Sequence, residues 1–182
     1  MERIKDVPAG SNGLIFTPWL HGNRNPFEDP DARGVFFGLG LETGAEDMVH
    51  AVIEGVCMHL KWQMTAMEKL TPSSEVVRFV GGGALAPLTC QILADVLGKK
   101  IETVDNPQNA GSVGAAAVMG VGLGVFESLQ EVKERIPASA TYLPRTENTK
   151  HYEALFEIFK DLYKNNKKNF RKLRERSGKN EG

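Results

Sequence analysis

Three consecutive glycines, Gly81, Gly82 and Gly83, stand between a segment with the composition of a β-strand and a segment with the spacing of a helix. The run before them, residues 76–80, is rich in β-branched side chains, and residues 88–97 repeat apolar side chains at intervals of three and four. Glycine leaves a turn without side chains and permits positive φ angles that other residues avoid. These features predict a strand that turns directly into a helix, as in α/β proteins.

The rest of the chain repeats this alternation of short apolar runs and helical spacing. Strands are predicted at residues 14–16, 35–39 and 101–104, and helices at residues 45–70, 109–124, 131–136 and 150–176. Thr43 and Glu46 have the spacing of a capping box at the start of the long helix, and residues 137–144 are predicted to form a loop. The order of the elements predicts an α/β domain in which helices pack against a sheet.

The composition of the chain excludes several classes of protein. Of 182 residues, 22 are Lys or Arg, 23 are Asp or Glu and 41% are hydrophobic, which is typical of a globular domain large enough to bury a core. A net charge of −1 gives no reason to expect a nucleic-acid partner, and no apolar run approaches the roughly 20 residues that span a membrane. Cys57 and Cys90 lack metal-ligand spacing and are predicted to be free buried thiols. Because residues 1–6 also lack an apolar signal segment, the expected compartment is the cytoplasm.

The glycine turn is the strongest candidate for a binding site. The helix that follows it can present free N–H groups and the positive end of its dipole to an anion or a polar ligand. Pro87 lies in the first turn of that helix, where a missing N–H costs nothing. A strand-to-helix turn of this kind is the usual ligand crevice of an open α/β sheet. The alternative is a tight turn without a ligand, since neither the P-loop pattern nor the dinucleotide-binding pattern of glycines is present.

Other polar residues have simpler structural explanations. The carboxylates with the chemistry of an acid or base are Asp47, Glu54, Asp95 and Asp105. Their positions suit helix caps, turns and solvated helix faces. The histidines are too scattered in the sequence to predict a metal site; they are His21, His50, His59 and His151.

Two groups of basic residues have a binding and a structural interpretation. Arg24 and Arg33 have the chemistry to bind a phosphate or a partner domain, or to hold their own loop in place. The basic C-terminal helix has the charge to bind nucleic acid or an anionic membrane. Its apolar residues at helical spacing favour instead a helix that docks on the protein and leaves a basic face in solvent.

Four segments, in order, resemble those of one known family. Residues 81–98, GGGALAPLTCQILADVLG, closely resemble the adenosine motif of the FGGY carbohydrate kinases. Residues 34–54 are similar to the second signature of that family, and residues 18–34 to its Pro-aromatic-Leu-x-Gly-Glu-Arg…Asp-Pro-x-Ala-Arg-Gly stretch. Residues 109–116, NAGSVGAA, resemble the Gly-Ala-Ala helix that follows its last strand. The resemblance covers residues 11–127.

The resemblance implies a ribonuclease-H-like, actin-like ATPase fold of two domains with ATP between them. It also implies transfer of the γ-phosphoryl group of ATP to a sugar hydroxyl, with Mg²⁺. The residues that would bind ATP are Gly81, Gly82, Gly83, Ala84, Pro87 and Gln91. Pro87 stands where glycerol kinases have Asn, which favours a xylulokinase-like member acting on a ketopentose such as D-xylulose. Asn23 and Thr89 depart from the residues common in the family, Glu and (in many xylulokinases) Trp, and weaken the assignment of the sugar.

Two catalytic segments of the family are absent from the sequence. There is no Gly-x-Gly-Asp stretch, which carries the catalytic Asp of these kinases, and no Asp-x-Gly-Thr/Ser phosphate loop near the start. The chain is therefore predicted to be the C-terminal part of the ATP-binding domain, incomplete at its N-terminal side and inactive alone. Its predicted parts are loop-rich strands over 1–44, an α/β core over 45–127 and C-terminal helices over 128–182.

Some partners and alternatives stay open at this level. No catalytic residue and no metal ligand is predicted within the chain, and the sugar would be bound by the missing domain. A truncated sheet can expose edges that pair between copies, so a homodimer is one alternative oligomeric state. The rival functions are a stand-alone nucleotide-binding or interaction module without catalysis, and a structural α/β domain without a ligand.

Overall fold

The computed structural model describes residues 2–72 and 74–176 as a mixed α/β structure. The strands are β1 (Ile15–Thr17), β2 (Val35–Phe37), β3 (Val76–Arg78), β4 (Lys100–Thr103) and β5 (Ala140–Tyr142). The helices are α1 (Ala45–Met67), α2 (Pro87–Leu97), α3 (Ala110–Gly122), α4 (Leu129–Glu134) and α5 (Thr146–Arg176). None of the helices in these ranges has the length and apolar character needed to cross a membrane.

The strands form two small sheets. In the first, β1 and β2 are antiparallel, with Phe16 opposite Phe36. In the second, β4 lies in the centre, parallel to β3 with Val77 opposite Ile101, and antiparallel to β5. The parallel pair is joined through α2, which is the strand–helix–strand unit that the glycine turn predicts. The second edges of β1 and β3 have no strand partner among the described residues.

The predicted strands and helices are confirmed, but two details are wrong. The segment predicted as a loop over 137–144 contains β5. It forms a strand because the free edge of β4 supplies hydrogen-bond partners, which cannot be predicted from the segment itself. The cap of α1 lies one residue later than predicted. Gly44 is the N-cap and donates its N–H to the Asp47 carboxylate at 2.8 Å, whereas the Thr43 hydroxyl accepts from the N–H of Gly40 at 2.9 Å.

An aromatic cluster around Trp19 joins the long N-terminal loop to the C-terminal helix. The Trp19 side chain is 1% exposed, and its ring is 5.4 to 6.5 Å, centroid to centroid, from five other rings. Those rings belong to Phe27, Trp62, Phe159, Tyr163 and Phe170. Buried aromatic residues contribute large apolar areas and favour tilted or edge-to-face contacts, so this cluster is the centre of the larger core.

Helix α5 docks on the protein through one apolar face, as its spacing predicts. Tyr152, Phe156 and Phe159 are buried in its first half, and Phe170 is buried near its end. Leu173, which the helical spacing places on the same face, is exposed. The basic side chains of residues 164–172 lie in solvent on another face, apart from local contacts within the helix.

Candidate functional site

The glycine turn has a defined backbone geometry at the end of β3. Gly81 has φ 93°, and its N–H donates to the carbonyl oxygen of Pro107 at 2.8 Å. Gly82–Leu85 then form one turn of 3-10 helix, with the N–H of Ala84 bonded to the carbonyl of Gly81 at 3.1 Å. The turn is therefore held at both ends and leads into α2, which begins at Pro87.

The surroundings of the three glycines differ. Gly81 has a positive φ that favours glycine whatever surrounds it, although an added Cβ atom would meet nothing within 4 Å. A Cβ atom on Gly83 would lie 3.0 Å from the ring of Phe79, so this glycine allows internal packing. Gly82 is exposed, has no positive φ, and a Cβ atom there would also meet nothing within 4 Å. Neither conformation nor internal packing explains Gly82, which leaves room for an external group.

A cavity of about 550 Å³ opens beside the first turns of α2. Of the six residues predicted to bind ATP, Pro87 and Gln91 belong to its lining, whereas the four residues of the glycine turn do not. The other lining residues are Lys5, Asp6, Val7, Pro8, Ala9, His50, Leu88, Ile92, Arg145, Asn148 and Tyr152. The cavity is thus built from the N-terminal segment, α1, α2 and α5, and its volume is in the range of small-molecule sites.

A hydrogen-bond network under Gln91 stiffens one wall of this cavity. The Gln91 amide nitrogen donates to Asp95 Oδ1 at 3.0 Å and to the carbonyl oxygen of Leu143 at 2.9 Å. Asp95 is fully buried and also accepts from Arg145 through its backbone N–H and two guanidinium nitrogens, and from Asn148. The hydrogen bond to Asp95 raises the pKa of the Arg145 guanidinium above its usual value. Asp95 therefore has a structural role, as expected.

Glu54 is a second buried carboxylate with every contact inside the protein. Its oxygens accept from the N–H of Gly10 and the hydroxyl of Ser11, each at 2.7 Å, and from the hydroxyl of Tyr152 at 2.6 Å. His50 Nδ1 lies 3.3 Å from the same carboxylate. Three donors on a 1% exposed side chain explain its burial, and they make Glu54 a structural residue beneath the cavity.

Other polar candidates hold local structure or line a second cavity. Arg33 donates to the carbonyl oxygens of Pro30 and Ala32, so it fixes its own loop. Asp105 lines a smaller cavity of about 210 Å³ with Arg78 and residues of α3. Within the described ranges, no group of three or more His, Cys, Asp or Glu side chains is arranged to hold a metal ion.

Two of the residues that line the cavity were not predicted from the sequence. Arg145 and Asn148 lie 50 and 53 positions after Asp95, in a segment without a motif. The one signal in the sequence was Asp95, an acidic residue among the apolar residues of the predicted helix. A carboxylate that is buried there requires partners, but the sequence does not say which residues supply them. Their identity depends on how α5 crosses α2.

Comparison with known proteins identifies the family. The model of the FGGY family of carbohydrate kinases, C-terminal domain, matches residues 2–123. The chain belongs to the FGGY family of carbohydrate kinases. The xylulose kinase of Bacillus subtilis (strain 168) is 31% identical over 179 residues, which is 94% of this chain and 36% of that protein. The gluconokinase of the same organism is 29% identical over 157 residues, 86% of this chain and 30% of that protein.

Solved structures of FGGY kinases share this fold. The ligand-bound xylulose kinase of Lactobacillus acidophilus superposes with a TM-score of 0.85 at 28% identity, over 94% of this chain and 35% of that one. Gluconate kinase of the same organism gives a TM-score of 0.84 at 28% identity. The predicted actin-like ATPase fold is confirmed, and the chain corresponds to the C-terminal part of it. It spans about a third of the length of the FGGY relatives that it matches.

Proposed function

We propose that this chain is the ATP-binding portion of a sugar kinase that transfers the γ-phosphoryl group of ATP to a ketopentose such as D-xylulose. The supporting observation is the glycine turn before α2, where Gly82 leaves space that the protein itself does not use. The turn belongs to residues 81–98, which resemble the adenosine motif of the family to which the chain belongs. The similarity to xylulose kinases favours a ketopentose as the acceptor.

In this proposal the adenosine lies against the turn and the start of α2. Gly81, Gly82, Gly83 and Ala84 bring backbone close to the nucleotide, and Pro87 and Gln91 form the adjoining wall. The start of an α-helix carries unpaired N–H groups and a partial positive charge, both of which favour a polar or anionic ligand. The cavity beside α2, at about 550 Å³, has room for a purine base.

The remaining parts of the reaction belong to the rest of the kinase. Phosphoryl transfer requires a carboxylate near the acceptor hydroxyl, donors for the phosphates and Mg²⁺. The described residues offer no cluster that fits Mg²⁺, so in this proposal the phosphates and residues outside the chain hold the ion. The sugar likewise binds outside the chain, which predicts that the chain alone does not phosphorylate it. The cytoplasm, where sugar and ATP meet, is the proposed compartment.

The surface of α3 supports the proposal that more protein belongs against this chain. The helix and the residues after it are mostly apolar or small, yet large apolar side chains lie open, with Met119 65% and Leu123 77% exposed. The others in this group are Val113, Val118 and Val125. An exposed apolar patch of this kind marks an interaction site. The relatives are about three times as long, so their additional sequence is the proposed cover.

Calorimetric titration with ADP tests nucleotide binding by the chain. Gly82→Val would place a branched side chain in the open space and is expected to weaken ADP binding at least about tenfold, or about 1.4 kcal/mol. Gly122→Val is the matched control, because a Cβ atom there also meets nothing within 4 Å but lies at the far end of α3. Unchanged ADP affinity in Gly82→Val, or no binding by the unaltered chain, would refute the proposed site.

A coupled assay for ADP release tests whether the chain alone can phosphorylate the sugar. The chain with ATP, Mg²⁺ and D-xylulose is expected to release no sugar-dependent ADP. Sugar-dependent release would contradict the proposal that the catalytic machinery lies outside the chain. The stand-alone binding module would be favoured by a different pair of results. The chain would bind nucleotide, and a longer natural protein that contains this sequence would show no kinase activity.

A further inference from the structure

Gln91 occupies the position on α2 best placed to recognise a base in the cavity. It lies one helical turn after Pro87 on the same face, and both residues line the cavity. The Pro87 side chain has neither a donor nor an acceptor. Polar recognition from this face of α2 therefore depends on the Gln91 amide.

The orientation of that amide is determined by its partners. Both hydrogen bonds run from the nitrogen, to Asp95 Oδ1 at 3.0 Å and to the carbonyl oxygen of Leu143 at 2.9 Å. Carboxylate and carbonyl oxygens only accept, so a flipped amide would lose two hydrogen bonds and set its oxygen against two other oxygens. Asp95 cannot move away to relieve this, because Arg145 and Asn148 hold it in a fully buried position.

The amide oxygen of Gln91 is left as a fixed acceptor. It has no hydrogen-bond partner among the described residues, and no buried side-chain polar atom in those ranges lacks a partner. The oxygen is therefore accessible from outside the protein. A rigid, open acceptor on a residue that lines a cavity selects for a ligand that presents a donor to it.

Most of the other polar groups of the cavity already have partners. His50 lies 2.9 Å from the hydroxyl of Ser11, and Tyr152 donates to Glu54. Arg145 and Asn148 are bound to Asp95. Lys5 and Asp6 are exposed and belong to the N-terminal segment rather than to α2. Among the residues of α2, Gln91 alone offers the cavity a side-chain acceptor.

We infer that the Gln91 amide oxygen selects adenine over bases with a 6-oxo group. Adenine carries an exocyclic amino group that donates a hydrogen bond, whereas hypoxanthine and guanine carry a carbonyl oxygen at the same ring position. An oxygen facing the fixed acceptor loses the hydrogen bond and adds repulsion between two acceptors. The inference rests on the proposed nucleotide site, and Asp95 acts in it as a positioning residue through Gln91.

The test compares ADP with inosine diphosphate (IDP), in which a 6-oxo group replaces the 6-amino group of ADP and the neighbouring ring nitrogen carries a proton. Dissociation constants for the unaltered chain are measured by calorimetry, and ADP is expected to bind at least about tenfold more tightly than IDP. If both bind equally, the inference is wrong while the nucleotide site stands. If neither binds, both the site and the inference are wrong.

A variant separates base recognition from the structural role of Gln91. Gln91→Lys keeps donors for Asp95 and Leu143 but presents no acceptor, so the ratio of the two dissociation constants is expected to fall to about one. The added positive charge acts on the phosphates of both ligands alike and leaves that ratio unaffected. Gln130→Lys, an exposed change of the same kind on α4, is expected to keep the original ratio. A ratio that survives in Gln91→Lys overturns the inference.

Discussion

The hydroxyl of Tyr152 donates a hydrogen bond of 2.6 Å to the carboxylate of Glu54, 98 positions earlier in the chain. Glu54 lies on α1 and Tyr152 on α5, and both are almost completely buried. Burial, together with the negative charge of Glu54, raises the pKa of Tyr152 far above its ordinary value, so the hydroxyl remains a donor. This contact and the donors Gly10 and Ser11 connect the N-terminal segment, α1 and α5 beneath the proposed nucleotide cavity.

Removal of either partner of this contact is expected to destabilise the fold unequally. Tyr152→Phe loses one hydrogen bond to a charged group and is expected to lower the free energy of unfolding by about 1.5–3 kcal/mol. Glu54→Ala leaves three buried donors without an acceptor and is expected to cost about 3–5 kcal/mol. Urea unfolding followed by circular dichroism measures both values. A loss below about 0.5 kcal/mol in both variants would contradict the structural role.

Two helical glycines are expected to respond to alanine in opposite directions. A Cβ atom on Gly55 would overlap the carbonyl oxygen of Phe16, where α1 crosses β1. Gly55→Ala is therefore expected to destabilise the protein by about 2 kcal/mol or more, since backbone atoms must move. Gly114→Ala, on the open side of α3, is expected to stabilise by up to about 1 kcal/mol through helix propensity. Thermal unfolding measures the stability of the two variants. An unchanged unfolding temperature for Gly55→Ala would contradict this interpretation.

Acid is expected to weaken the core around Trp19 through His59. The Trp19 indole N–H donates to His59 Nδ1 at 3.3 Å, and burial lowers the pKa of His59 below its ordinary value of 6.5. Because the unfolded chain then binds the proton more readily than the folded chain, this contribution is complete above pH 6.5 and declines as the pH falls below it. His59→Gln is expected to show a smaller loss of stability between pH 7.5 and 5.5, measured by urea unfolding. An identical loss in both proteins would count against this role.

The two thiols are expected to be unreactive until the protein unfolds. Cys57 and Cys90 are free and buried, and burial raises the pKa of both thiols. For Cys57 the nearby charge of Glu54 adds to the effect. Since the thiolate is the reactive form, a colorimetric thiol reagent is expected to label neither residue in the native chain, and both after guanidinium is added. Rapid labelling under native conditions would show that one of the sites opens without unfolding.

Local sequence signals predicted most of the elements because they are properties of neighbouring residues. The period of apolar side chains defined α1, α2 and α5, and Gly98 ends α2 with φ 66° as a C-terminal glycine should. Strand β5 escaped prediction because it lacks the run of large apolar side chains that marks β1, β2 and β3, which are equally short. Its formation depends on β4, whose Thr103 lies opposite Ala140.

The candidate site was predicted only in part, because the local sequence shows a turn but not what surrounds it. The glycine turn is visible in the sequence, but the sequence does not show that its three glycines have different surroundings. Only the positions of Phe79 and Pro107 distinguish Gly83, a packing residue, and Gly81, a conformational one, from Gly82, which faces open space. Gln91 stays a predicted ATP-binding residue, and the structure adds that its two donors are already engaged.

The sequence by itself determined the alternation of strands and helices, the turn at Gly81 and the membership of the FGGY kinases, since each depends on residues close together in the chain. The tertiary structure alone decided which residues pair with the buried carboxylates and where a cavity forms. Asp95 meets Arg145 and Glu54 meets Tyr152 across 50 and 98 positions. Such contacts exist only after α5 has packed across α1 and α2, because burial makes a charged group require partners that no local pattern specifies.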